Sequence, residues 1–162
     1  MMPYLLIIVT AVMLSFIIYL LPKRLTLIEI YSTTVFAILF NALVDVYLDL
    51  KLDLYGYFKK GADYEMILVL IGIFPFFNYL YLNGFPFMKR LRLKIGYIAV
   101  WTVIAVFYDW LAIQAKLLYF NNWTLVYSAI AYSLIYIILL INIIFIKWLR
   151  KKDSKVVKQP NV

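Results

Sequence analysis

Leu125 to Ile146 reads LVYSAIAYSLIYIILLINIIFI, an apolar run that no charged residue interrupts. A hydrocarbon core of about 30 Å needs roughly 20 helical residues at about 1.5 Å each, so this run is long enough to cross a bilayer as one helix. Working back from it, four more segments have the same character: Pro3 to Leu21, Leu27 to Val46, Met66 to Leu82 and Ile95 to Ala115. Barrel strands alternate polar and apolar residues over about ten positions, whereas these runs are continuous. Inside lipid, every backbone group must find its partner within its own segment, which selects helices. With 67% of its residues hydrophobic, the chain reads as an all-α polytopic membrane protein. Its expected organisation is a five-helix transmembrane domain over residues 1–150 and a basic tail over 151–162.

Charge sets the expected orientation. Of the 16 basic residues, all but Lys51, Lys59, Lys60 and Lys116 fall after the first, third or fifth span. The rich side is expected to be cytoplasmic, giving an outside N-terminus and a cytoplasmic C-terminus. The formal charge of +8 is therefore read as an orientation signal and a contact with lipid headgroups, not as a nucleic-acid footprint. The first span lacks a basic segment before Pro3 and a small-residue cleavage pattern before Pro22, so it is expected to stay in place. The chain has neither cysteine nor histidine. That removes disulfides, thiolate nucleophiles and iron–sulfur ligation, along with imidazole ligation and Ser-His catalysis. No cofactor or metal is expected.

Local chemistry marks the helix ends. Thr26 and Glu29 have the Thr-x-x-Glu spacing of a capping box. Asp63 and Glu65 stand before the third span, where carboxylates suit the positive end of a helix dipole. Pro75 should bend that span, and Asn83-Gly84 before Pro86 should end it in a left-handed cap. Tyr47 to Tyr64 is the longest loop. Its run from Leu48 to Leu54 alternates leucine with charge, as an extended segment on the membrane surface would. Asn41, Asp45, Asp49 and Asp53 are also spaced by four, as on one face of a continuing helix, and both readings stay open. Trp110 and Trp123 suit one interfacial aromatic belt and Trp148 the other. A faint repeat relates Lys23–Leu27 to Lys89–Leu93, Asp45 to Asp109, Tyr57-Phe58 to Tyr119-Phe120 and Asn78 to Asn142. Common topology or a parallel duplication would each produce it.

Several segments occur together in a familiar order: Asp49 to Phe58 (DLKLDLYGYF), Gly72 to Asn83 (GIFPFFNYLYLN), Tyr108-Asp109-Trp110, and Trp123 to Leu140 (WTLVYSAIAYSLIYIILL). In these segments the chain resembles a family of small, uncharacterised multi-pass membrane proteins of spore-forming Gram-positive bacteria. The similarity runs from the second span to the fifth. It implies a bacterial cytoplasmic membrane and brings no activity, substrate or catalytic residue with it.

Polar side chains within the spans carry the functional question. An ionised aspartate at mid-membrane costs about 2.5–3.5 kcal/mol on insertion scales, so it should face other helices or water. Asn41, Asp45 and Asp109 form the candidate cluster, with Asp109 the deeper carboxylate. They are read either as interhelical hydrogen-bond partners, with Lys116 or tyrosine hydroxyls, or as part of a path for protons, cations or a polar solute. Asn78 and Asn142 are expected to bond neighbouring helices. The leading functional reading is a non-enzymatic assembly partner or accessory subunit, embedded in the lipid bilayer and contacting another membrane protein or itself. The alternative is a small carrier or permeation pathway using the intramembrane aspartates. A membrane enzyme comes third, because no nucleophile or metal motif accompanies the two carboxylates.

Overall fold

The computed structural model describes residues 2–59 and 65–157, with side chains through Ser154. Lys60, Asp63, Tyr64 and Lys158, and the side chain of Lys155, which figured in the loop and charge readings, lie outside the described residues. The described residues are 78% helical and include five helices long and apolar enough to cross a membrane. In order the elements are α1 (Met2–Leu20), α2 (Leu27–Asp45), β1 (Tyr55–Tyr57), α3 (Met66–Gly72), α4 (Phe74–Gly84), α5 (Leu91–Gln114), β2 (Leu118–Phe120) and α6 (Leu125–Val157). A turn of π-helix, Val46–Lys51, prolongs α2. Of the two readings of the second loop, the helical one describes the chain as far as Lys51. Leucine–charge alternation cannot impose a strand where the preceding helix simply continues.

The two strands qualify the all-α expectation. β1 and β2 pair antiparallel with Gly56 opposite Tyr119, and Phe58 N–H extends the ladder to Leu117 O at 3.0 Å. This small sheet joins the loop after α2 to the loop after α5. Gly56 leaves room for the Tyr119 ring, whose Cζ would lie 2.6 Å from a Cβ there, so a larger residue would have to displace that ring. Asp53 and Lys116, with positive φ (51° and 58°), turn the chain from the preceding helices into β1 and β2.

The third span, the shortest in the sequence, is the centre of the molecule. About 44% of its most apolar stretch is buried, against 17–22% for the other spans. From Asn78 to Asn83 every residue of α4 is buried, which requires neighbours on all sides. Those neighbours are α1, α2 and α6, with α5 reached through aromatic side chains. Pro75 acts more strongly than a bend. Its ring lacks the N–H that would reach back one turn, and the span divides at Ile73 (φ −125°, ψ −54°) into α3 and α4, with the proline in the first turn of α4. Tyr81, fully buried, packs on Tyr136 with centroids 4.4 Å apart and touches Tyr97 and Trp101 as well.

α4 ends differently from the expectation of a left-handed cap. Neither Asn83 nor Gly84 has positive φ, and the chain leaves through an extended Phe85. Gly84 instead makes room for Tyr97, whose hydroxyl donates to Tyr81 O at 2.9 Å. Asn83 does more than stop a helix. Its Oδ1 accepts the Arg24 N–H at 2.8 Å and its Nδ2 donates to Pro22 O at 3.0 Å, pinning the α1–α2 link to the end of α4. Asn83→Ala should therefore lower stability in detergent by about 1–3 kcal/mol, because it strands two partly buried backbone groups. Asn83→Asp, which keeps the acceptor alone, should fall between. A thermal melt of Asn83→Ala that matches the parent would remove this clasp from the account.

Contacts distinguish the two ends of the bundle. At the basic end, Asn83 meets Pro22 and Arg24, Lys147 Nζ sits 4.0 Å above the Phe87 ring, and Arg150 reaches Glu29. The Thr26–Glu29 capping box is present, with Glu29 Oε2 accepting the Thr26 N–H at 2.9 Å. At the sheet end, the Tyr4 hydroxyl donates to Glu65 at 3.0 Å and the Tyr4 ring lies against Phe58. α6 continues as a helix to Val157, well past the apolar run, so the first part of the basic tail belongs to the helix.

Candidate functional site

The site is assembled from α2 upward. Glu29, Thr33, Ala37, Asn41, Asp45 and Asp49 recur at every fourth position, and all but the half-buried Asn41 are buried. Spacing by four drifts slowly around a helix of 3.6 residues per turn, so these small and polar groups face inward along its whole length. Asn41 Nδ2 donates to Ala37 O one turn back, at 2.8 Å. Asp45, at the end of α2, is 4% exposed. Its Oδ1 accepts the Tyr55 hydroxyl at 2.7 Å from β1, and Tyr57 approaches the same carboxylate. Burial, reinforced by the Asp45 charge, holds the phenols of Tyr55 and Tyr57 well above their ordinary range, so both remain protonated donors.

Asp109 enters from α5 and is 6% exposed. Its Oδ1 accepts the Tyr132 hydroxyl from α6 at 2.7 Å, and the Ser128 hydroxyl stands beside it. Ser128 is held by Trp123, whose indole Nε1 donates to its Oγ at 3.0 Å. The Trp123 ring meets Tyr55 edge-on at 5.6 Å. Trp123 thus joins the strand donating to Asp45 with the serine beside Asp109, a role beyond an interfacial belt. The neighbouring Tyr108 donates to Thr10 Oγ1 at 3.2 Å, tying α5 to α1.

Asn41, Asp45 and Asp109 line one cavity of about 50 Å³ with Tyr55, Tyr132 and Ser128. The carboxylates meet tyrosine hydroxyls and not Lys116, which is exposed. Among the described residues no lysine or arginine pairs with either aspartate, and the groups around Asp45 are the hydroxyls of Tyr55 and Tyr57. A second cavity of about 60 Å³ shares Asn41, Phe74, Tyr132 and Ile135 with the first. It is also lined by Asn78, beside the helix break.

Asn78 and Asn142 do not make the interhelical hydrogen bonds expected of them. Both amide atoms of Asn78, and Oδ1 of Asn142, are buried without a partner among the described residues. Asn78 borders its cavity among Ile73, Phe77 and Leu139, which offer it no polar group. A buried amide without a partner costs about 1–3 kcal/mol, and a bound water satisfies it where room exists.

Sequence reading passed over Tyr55, Tyr57, Ser128 and Tyr132. A signal existed for two of them. Ser128, Tyr132 and Tyr136 recur at every fourth position of α6, a polar stripe facing one direction. For Tyr55 and Tyr57 there was none, because their placement depends on β1 pairing across to the other loop. No family model, curated protein or solved structure matches the chain.

Proposed function

We propose that this protein is a small carrier or permeation pathway for protons or a small monovalent cation, with Asp45 and Asp109 as its binding carboxylates. One observation carries the reading. Two buried carboxylates from different helices face one cavity, their neighbours there are hydroxyls, and among the described residues no basic side chain neutralises either of them. A purely structural pair would be expected to have its charge compensated within the protein, since an uncompensated buried carboxylate is costly. A cation between the two would supply what is missing. The cavities, at about 50 and 60 Å³, suit waters or a bare cation and are too small for an organic solute. Asn41 borders both, so a path from the aspartates would continue toward Asn78. The exposed apolar side chains are distributed over all five spans, as lipid contact requires, and favour no particular protein partner.

The setting we propose is a bacterial cytoplasmic membrane with the sheet end outside. The loop charges and the resemblance to small membrane proteins of spore-forming bacteria support it. Lys59→Cys and Lys152→Cys, single substitutions in a cysteine-free chain, should report opposite faces. An impermeant thiol reagent should label the first in intact cells and the second only after lysis. The reverse pattern would invert the protein and put the aspartates at the cytoplasmic side.

The transport reading is tested in liposomes loaded with a proton-, sodium- or potassium-sensitive dye, each under the matching imposed gradient. Flux above that of protein-free liposomes is expected for at least one of the three ions. Folded, inserted protein that passes none of them would return the aspartates to packing.

A further inference from the structure

We infer that the basic end holds a binding site for an anionic phospholipid headgroup. An open groove of about 740 Å³ lies between the start of α2 and the last turns of α6, lined by Arg24, Thr26, Glu29, Lys147, Arg150 and Lys151. Its four cations come from two separate parts of the chain, the α1–α2 link and α6. Only one of them is neutralised there. Glu29 pairs with Arg150 at 3.1 Å, and Arg150 also donates to Thr26 Oγ1 at 2.6 Å, so this guanidinium is held in place. Thr26, as acceptor, keeps its own proton to donate. Arg24, Lys147 and Lys151 have no acidic partner among the described residues. Three uncompensated cations, a fixed guanidinium and a free hydroxyl donor match the oxygens of a phosphodiester.

The surroundings distinguish a lipid from free phosphate. Leu27 and Ile28, next along α2 from Thr26, are 84% and 53% exposed, and Phe145 and Trp148 on α6 are 53% and 54% exposed. A phosphate ion makes no use of such apolar surface, whereas the acyl chains of a phospholipid would lie along it while its headgroup occupies the groove. Basic pockets between transmembrane helices suit this class of ligand, each Lys or Arg near the surface contributing an attraction that weakens with salt. The site is separate from the aspartate cavity and stands whether or not the protein transports anything.

The test uses the purified full chain in neutral detergent, its melting temperature followed against added phosphatidylglycerol, phosphatidylcholine or inorganic phosphate. Phosphatidylglycerol should raise it, with phosphatidylcholine and phosphate at equal concentration having little effect. Arg24→Gln/Lys151→Gln, which leaves Arg150 and the capping box alone, should weaken the response roughly tenfold. Lys89→Gln/Arg92→Gln, removing the same charge from the same end outside the groove, should leave it unchanged. Equal potency of inorganic phosphate would make this a soluble-anion site and overturn the lipid assignment. Equal weakening by both double variants would reduce it to diffuse charge, and no weakening by the groove variant would eliminate the site. Native mass spectrometry of the unsubstituted protein supplies an arm that needs no variant: bound phosphatidylglycerol is expected after extraction, and its absence overturns the proposal.

Discussion

Asp109→Asn should leave the protein folded and, on the proposed transport reading, bring cation flux down to the level of empty liposomes. The amide oxygen still accepts the Tyr132 hydroxyl that now lies 2.7 Å from Asp109 Oδ1, so packing among α5 and α6 is kept. What disappears is the negative charge, and with it both a proton acceptor and a cation ligand. Asp109→Leu separates the two roles further. It leaves the buried Tyr132 hydroxyl without its acceptor and should cost about 1–3 kcal/mol in a detergent melt, besides abolishing flux. Asp45→Asn should behave like Asp109→Asn, since Tyr55 retains its acceptor in the same way. If Asp109→Asn carries the parent's flux with the parent's pH profile, Asp109 is a packing residue and the transport reading loses its main support.

Truncation of Tyr81 should be the most damaging single change outside the site. The ring is fully buried, 4.4 Å from Tyr136 between centroids and in contact with Tyr97, Trp101 and Phe85. Tyr81→Ala opens a cavity where α4 meets α5 and α6, and large aromatic deletions of this kind cost about 3–5 kcal/mol. Packing carries this figure in lipid, where apolar burial alone gives helices little reason to associate. Tyr81→Phe loses only the hydroxyl donated to Tyr136 O at 3.2 Å and should cost about 1 kcal/mol or less. Tyr19→Ala, at an 84% exposed position, should melt like the parent. A Tyr81→Ala variant as stable as Tyr19→Ala would show that α4 is not the centre of the bundle.

Much of the candidate site was visible as residue types and little of it as geometry. Asn41, Asp45 and Asp109 stood out because lipid penalises them, a cost that belongs to the residue and needs no neighbour to define it. Their tyrosine partners did not stand out, since tyrosine is common throughout this chain and amphipathic enough to suit membrane interfaces. The same limit explains Asn83. As a neighbour of Gly84 and Pro86 it reads as a stop signal, but its amide closes on Pro22 and Arg24, far away in sequence. Arg150 likewise read as one more positive charge flanking the fifth span, whereas it reaches Glu29 at the start of α2.

By itself the sequence determined the five apolar helices, their approximate ends, the capping box at Thr26 and Glu29, and the interruption at Pro75. Each follows from local chemistry: continuous hydropathy over the thickness of a bilayer, a side chain within reach of its own helix end, and a ring without an N–H. Tertiary structure alone decided which span is central, which loops pair as strands, and which polar groups meet. In lipid the outward faces are as apolar as much of the interior, so apart from the polar stripes of α2 and α6 there is little of the contrast between faces that would reveal packing order in a water-soluble protein. α4 becomes the core because its aromatic side chains interlock with the surrounding helices and Asn83 clasps the α1–α2 link, and the aspartates become a site because a two-stranded sheet brings Tyr55 down onto one of them. Those are matters of complementary shape between distant segments, and no local pattern in this sequence encodes them.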